Sequence, residues 1–130
     1  MLRLTRRQRA LASVLFAGGV IAVIVGSLLP ASSPVMTAVA ALPFTDKAIH
    51  FTAYLTLAAL AALARPGLRA AASFIVGLAL LGAALELAQN LVPGRTPELA
   101  DEFANVLGSI SGIIVGRLAA AKPAPATIES

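Results

Sequence analysis

Four long apolar stretches occupy most of this 130-residue chain, and no other feature restricts its fold as strongly. They cover residues 11–29, 48–64, 70–92 and 103–121. A helix needs about 20 residues to cross a hydrocarbon core. The second stretch is shorter than this, so it crosses the core only if Asp46 and Lys47 lie among the lipid headgroups. Only 12% of the residues are charged, about half the share found in soluble domains. The sequence therefore predicts an all-α integral membrane bundle of four transmembrane helices.

These stretches also define the expected domain organisation. We expect a basic N-terminus over residues 1–10, one four-helix membrane domain over residues 11–121, and a disordered tail over residues 122–130, which are rich in proline and alanine. The first stretch, with its basic start, also has features of a signal peptide, although its apolar run exceeds the roughly 7–15 residues typical of such peptides. Cleavage of the first helix therefore stays open.

Lysine and arginine are distributed unevenly between the two ends of the predicted bundle. If the N-terminus is inside the cell, eight basic residues fall on the cytoplasmic side and only Lys47 and Arg95 on the outer side. Membrane proteins carry an excess of these residues in their cytoplasmic loops. We therefore expect a multi-pass protein of a bacterial-type plasma membrane with both termini cytoplasmic. The eight residues are Arg3, Arg6, Arg7, Arg9, Arg65, Arg69, Arg117 and Lys122.

Several classes of function are disfavoured by what the sequence lacks. The chain has no cysteine and one histidine, so disulfides are excluded and we expect no metal site. It contains no nucleotide-binding loop, nucleophile elbow or redox motif, so no cofactor is expected. The net charge of +4 is not accompanied by stacking aromatic residues, and nucleic acid is not an expected partner.

The three connections between the stretches differ in character. Residues 30–45 contain three prolines and are expected to form an extended strap on the outer side. Residues 65–69 and 93–98 each combine proline with glycine, which together end one helix and redirect the chain. Both segments are therefore predicted to be tight turns, and the second brings the third and fourth stretches together.

The few polar side chains inside the stretches gather toward one end of the predicted bundle. Ionisable groups at membrane depth are costly, so they indicate a functional site, here a vestibule in the outer leaflet. Spacings of three or four residues place the members of each set on one helix face. The residues are Asp46, His50 and Tyr54 in the second stretch, Glu86 and Gln89 in the third, and Asp101 and Asn105 in the fourth.

Two basic residues and three glycines complete the expected site. Lys47 and Arg95 are suited to binding phosphate or carboxylate on a ligand, or to reaching the headgroups. Gly108, Gly112 and Gly116 form a GxxxGxxxG run, which lets another helix approach closely. We therefore expect the polar face of the fourth stretch to point into the bundle.

Four short polar motifs follow one another in a fixed order along the chain. They are Asp46-Lys47-x-x-His50-Phe51-x-x-Tyr54, Glu86-x-x-Gln89, Pro93-Gly94-Arg95 and Asp101-x-x-x-Asn105-x-x-Gly108. This order resembles the VanZ-like membrane protein family over about residues 27–116. The namesake of that family is linked to resistance against the glycopeptide antibiotic teicoplanin. The resemblance therefore implies a four-helix membrane fold and a setting in the cell envelope.

Three classes of function stay open. The first is a protein that recognises an anionic lipid-linked ligand or a lipoglycopeptide through the nine polar residues from Asp46 to Asn105 named above. The second is an enzyme acting on a lipid-linked substrate, with His50 as base and Glu86 or Asp101 as acid or orienting group. The third is a structural subunit in which the same residues only join the helices, with Glu86 paired to Arg95 or His50. Membrane lipids are expected partners in every case, and the sequence makes no prediction of oligomeric state.

Overall fold

The computed structural model describes residues 4–121, and all regular structure within that range is helical. Its helices are α1 (Arg6–Leu28), α2 (Pro34–Ala40), α3 (Asp46–Ala64), α4 (Leu68–Gln89) and α5 (Leu99–Ala121). All except α2 are long and apolar enough to cross a membrane. The prediction of an all-α bundle with four transmembrane helices is therefore confirmed. The predicted tail over residues 122–130 lies outside the described residues, as do the first three residues of the N-terminus.

The four long helices begin two to five residues before the apolar stretches that predicted them. Polar residues cap the early starts of α1 and α3, because a side-chain oxygen can accept a hydrogen bond from a free backbone N–H group of the first turn. Thr5 forms a reciprocal capping pair with Gln8 at the start of α1, and Thr45 caps α3. As a result Asp46 and Lys47 lie in the first turn of α3, which lengthens the shortest predicted span to 19 residues.

The connection between α1 and α3 corrects one expectation. The extended strap predicted for residues 30–45 instead contains the seven-residue helix α2. Ser33 caps this helix by accepting a hydrogen bond from the backbone N–H of Met36, and Pro34 occupies the first turn, where its missing N–H costs nothing. The connection between α3 and α4 is short, as predicted, and consists of residues 65–67.

The closest helix pair is α3 and α5, which run in the same direction. Their contact depends on Gly108, Gly112 and Gly116, which lie on the face of α5 that meets the α3 backbone. A Cβ atom at Gly112 would overlap the carbonyl oxygen of Leu55, and one at Gly116 would lie 2.6 Å from the Ala59 carbonyl oxygen. Small residues at such an interface let two backbones approach closely. The glycine run therefore serves packing within this chain.

The remaining long helices surround this pair. Leu57, Ala58 and Ile113 belong to a buried apolar cluster, and α4 contributes Leu78 to it. Helix α1 is peripheral, with Ala12 as its buried residue. Large apolar side chains such as those of Leu15, Leu80 and Leu107 are exposed around the bundle. This surface suits hydrocarbon, as expected of a multi-pass membrane protein.

Candidate functional site

The polar residues meet at one end of the bundle. Because successive long helices alternate in direction, this end combines the N-terminal ends of α3 and α5 with the C-terminal ends of α1 and α4. All five acidic residues within the described residues 4–121 lie here, but only two of the eight basic residues in that range. The acidic residues are Asp46, Glu86, Glu98, Asp101 and Glu102, and the basic ones are Lys47 and Arg95.

His50 is oriented by a chain of hydrogen bonds that reaches it from α5. Asn105 donates from Nδ2 to Glu102 Oε2 over 3.2 Å, so its Oδ1 is the atom that faces His50 Nδ1, 3.0 Å away. Nδ1 must then carry a proton and donate it to Oδ1. The other ring nitrogen, Nε2, points toward Asp46 Oδ1 at 3.8 Å. The packing of α5 thus determines which nitrogen of His50 is available.

Lys47 is engaged by carboxylates of the site itself. Its Nζ lies 2.5 Å from Glu98 Oε2 and 3.1 Å from Asp101 Oδ1. The Asp101 side chain is only 4% exposed, whereas the Glu98 side chain is about half exposed. The ammonium group therefore joins the start of α3 to the start of α5. An anionic ligand would have to compete with both carboxylates for it.

Arg95 links the third connection to α1 and α2. Its Nε donates to the carbonyl oxygen of Leu29 over 3.2 Å, and its Nη2 donates to that of Gly26 over 2.8 Å. These carbonyl groups belong to the C-terminal end of α1, where oxygen atoms lack partners within the helix. Nη2 also lies 3.6 Å from Met36 Sδ in α2. The guanidinium group thus holds three segments together at the edge of the site.

Glu86 and Gln89 occupy the buried end of α4. Glu86 Oε2 accepts a hydrogen bond of 3.1 Å from the backbone N–H of Glu98, next to the start of α5. This partner differs from Arg95 and His50, the partners considered from the sequence. Gln89 donates from Nε2 to the carbonyl oxygen of Ser27 over 3.2 Å. The two side chains therefore join α4 to α5 and to α1.

A cavity of about 330 Å³ opens between α1, α2 and α3 at this end. Its apolar walls come largely from α1 and α2, including Val23, Met36 and Val39. Tyr54, which is 2% exposed, belongs to its wall. The predicted site residues that line the cavity are Asp46, His50, Tyr54, Gln89 and Arg95. Lys47, Glu86, Asp101 and Asn105 lie outside this lining and support it from behind.

A second, larger cavity forms a groove between α1 and α3. It measures about 770 Å³, and its lining from Ala48 to Leu60 extends for about 18 Å along α3. The groove is lined almost entirely by apolar side chains, with Thr52 and Thr56 as its hydroxyl groups. It shares Val23, Ile49 and Ala53 with the polar cavity, so the two spaces adjoin.

Three contributors to the site were not predicted from the sequence. Glu98 pairs with Lys47, and Glu102 accepts the hydrogen bond that orients Asn105. Gly82 makes room for this contact, because a Cβ atom there would lie 2.9 Å from Asn105 Nδ2. Glu102 precedes Asn105 by three residues, a spacing that places both on one helix face and could have indicated it.

Together these features define a multi-pass membrane protein with a polar cavity at one end of its bundle and an apolar groove leading from it. No protein-family model, curated protein or solved structure matches the chain.

Proposed function

We propose that this chain is a VanZ-like membrane protein that binds an amphiphilic, lipid-linked ligand of the cell envelope. The observation that carries the proposal is the junction between the polar cavity and the apolar groove at Val23, Ile49 and Ala53. A headgroup in the cavity would meet His50 and Arg95, while its hydrocarbon tail would follow the groove. Ligand sites of this kind combine apolar walls with a few polar groups that fix orientation.

The charges around the cavity favour a headgroup that donates hydrogen bonds. Five carboxylates surround this end of the bundle, and Lys47 is paired with two of them. Arg95 donates to the carbonyl groups of α1. The groups best placed to accept from a ligand are the Asp46 carboxylate and His50 Nε2. A sugar-bearing or otherwise hydroxyl-rich headgroup, as in a lipoglycopeptide, therefore fits better than a bare phosphate.

The membrane setting of this proposal is a bacterial plasma membrane with the cavity at its outer leaflet. Support comes from the basic residues at the opposite end of the bundle, among them Arg9, Arg65 and Arg117. Such residues accumulate on the cytoplasmic side of membrane proteins. The cavity would then face the compartment in which glycopeptide antibiotics and cell-wall precursors are found.

A pair of matched variants tests ligand binding. Ala53 lies at the junction of the two spaces, so Ala53→Phe should obstruct both. Ala72 is an exposed residue of α4 and provides Ala72→Phe as a control of equal bulk. The purified proteins would be compared by mass spectrometry of the lipids that copurify with them. We expect a lipid retained by the wild type and by Ala72→Phe to be lost from Ala53→Phe. Equal retention by all three proteins would contradict the proposal.

The same variants test the link to glycopeptides in cells. In a teicoplanin-susceptible host, we expect the wild type and Ala72→Phe to raise the inhibitory concentration of teicoplanin, and Ala53→Phe to leave it at the host level. Membrane abundance of each protein, measured by immunoblotting, separates loss of function from loss of the protein. An unchanged inhibitory concentration with abundant wild-type protein would remove the glycopeptide role.

A membrane-embedded enzyme is the second candidate, and the orientation of His50 favours it. Asn105 accepts the hydrogen bond from Nδ1, so Nε2 is the ring nitrogen that can act as a base. His50 lines the cavity, where a substrate would bind. His50→Gln retains hydrogen-bonding capacity but cannot accept a proton in the same way. An enzyme would therefore lose turnover in this variant, whereas a binding protein would retain its lipid. A purely structural subunit would show neither loss while remaining folded.

A further inference from the structure

Three side chains that could ligate a metal ion converge beside the cavity. Asp46 and His50 are one turn apart on α3, and Asp101 approaches them from α5. One ligand atom from each lies within 4.8 Å of the other two. Ligand atoms around a tetrahedral Zn²⁺ ion are about 3.4 Å apart, so atoms that lie within 4.8 Å of one another need to approach by at most about 1.4 Å.

The carboxylate of Asp101 is the buried member of this group. The residue is 3% exposed, and its Oδ1 lies 3.1 Å from the Lys47 ammonium, which is its ion partner. A buried carboxylate of this kind needs a positive charge beside it. A metal ion bound here would share that role with Lys47.

The arrangement around His50 is the one that metal-binding histidines use. A ligating histidine donates its second ring N–H to a neighbouring acceptor, which fixes the tautomer and the ring orientation. Asn105 accepts this bond from Nδ1 and is itself held by Glu102. In the neutral ring, the Nε2 lone pair then faces the Asp46 carboxylate at 3.8 Å. A metal ion between them would be bound by both acceptors.

We infer that Asp46, His50 and Asp101 bind one divalent transition-metal ion, with Zn²⁺ as the preferred ion. One imidazole and two carboxylates form a donor set suited to Zn²⁺, and water or a ligand hydroxyl would complete it. The excess of carboxylates at this end of the bundle adds to the attraction. The sequence predicted no metal site because it contains one histidine and no cysteine. The fold supplies the missing donors as carboxylates from two helices.

Substitution of Lys47 and substitution of a metal ligand should change the affinity for Zn²⁺ in opposite directions. Its ammonium competes with an incoming cation for Asp101, and Glu98 can retain it when the ion binds. Removing the competing charge with Lys47→Met should therefore tighten Zn²⁺ binding, an effect that misfolding cannot produce. Removing a ligand with Asp101→Asn or His50→Gln should weaken it. Glu86→Gln is a matched control, because Glu86 lies at the same end but is bound to the backbone N–H of Glu98.

The experiment is calorimetric titration of the full chain in detergent with ZnCl₂, after treatment with a chelator. We expect one ion per chain, about tenfold or greater weakening in Asp101→Asn and His50→Gln, tighter binding in Lys47→Met, and a much smaller weakening in Glu86→Gln, which removes a nearby charge but no ligand. No saturable binding by the wild type would overturn the inference. Wild-type affinity in the two ligand variants, or weaker binding in Lys47→Met, would overturn it as well. No lipid is used, so this result is independent of the proposed ligand-binding function.

Discussion

His50 and Asn105 hold each other across the interface of α3 and α5, with 3.0 Å between Nδ1 and Oδ1. Asn105 is 1% exposed, and its amide also donates to Glu102. Three residues further along α5, Gly108 begins the run of glycines that brings the two helices into backbone contact. The orientation of the single histidine therefore depends on the same close approach that packs the bundle.

The first prediction concerns the tautomer of His50. The chain contains one histidine, so ¹⁵N labelling of histidine gives the two ring nitrogens of one residue. In the neutral ring we expect the proton on Nδ1, because Asn105 Oδ1 can only accept. Asn105→Leu removes this acceptor and should move the population toward the other tautomer. Glu86→Gln, which leaves this chain of hydrogen bonds intact, should match the wild type. A proton on Nε2 in the wild type would contradict the assignment.

The second prediction concerns the glycines of α5. A Cβ atom at Gly112 would overlap the Leu55 carbonyl oxygen, so Gly112→Ala forces the helices apart. Overpacking of this kind typically costs about 1–3 kcal/mol of stability. A Cβ atom at Gly77 in α4 would meet nothing within 4 Å, and Gly77→Ala is the matched control. Thermal unfolding in detergent, followed by circular dichroism, should show a lower midpoint for Gly112→Ala only. Equal midpoints would show that α5 does not pack on α3 in this way.

Helical spacing and hydropathy were sufficient to predict the four spans and the shared faces of the polar residues. Both signals are local, since they depend on which residues lie within one or two turns of each other. The pairing of Asp46 with His50 on one face of α3 follows from a spacing of four. Close packing at Gly108 likewise follows from a repeat visible in the sequence.

Contacts between segments distant in sequence could not be predicted in this way. Arg95 was expected to face a ligand, whereas it donates to carbonyl groups of α1 about 66 residues earlier in the chain. Nothing near Arg95 in the sequence indicates that those carbonyl groups lie beside it. The helix α2 was missed for another reason, because three prolines outweighed the capping signal of Ser33 followed by Pro34.

The third prediction concerns Arg95. Arg95→Lys keeps the positive charge, but an ammonium group cannot reach the carbonyl oxygens of Gly26 and Leu29 with the same fork of donors. Loss of these charged hydrogen bonds should lower stability by about 1–2 kcal/mol, since Arg95 is only partly buried. Arg69→Lys is the control, because Arg69 is exposed. The measurement is the thermal unfolding midpoint of both variants. An Arg95→Lys midpoint equal to that of Arg69→Lys would show that the hydrogen bonds from Arg95 to α1 do not stabilise the fold.

The last prediction concerns the side of the membrane on which the cavity lies. Thr96 is exposed beside the site, and Gly67 is exposed at the opposite end of the bundle with open space around it. The chain has no cysteine, so Thr96→Cys and Gly67→Cys each introduce a single thiol. A membrane-impermeant maleimide applied to intact cells should label Thr96→Cys alone, because the basic end of the bundle is expected inside.

Permeabilised cells provide the control for this experiment, since both thiols should then react if both proteins are present and accessible. Labelling of Gly67→Cys alone in intact cells would place His50 and its neighbours on the cytoplasmic side. A glycopeptide or an outer-leaflet lipid could not then reach the cavity from outside the cell. The ligand would have to be sought among lipids of the cytoplasmic leaflet, while the metal site and the packing of α5 on α3 would be unaffected.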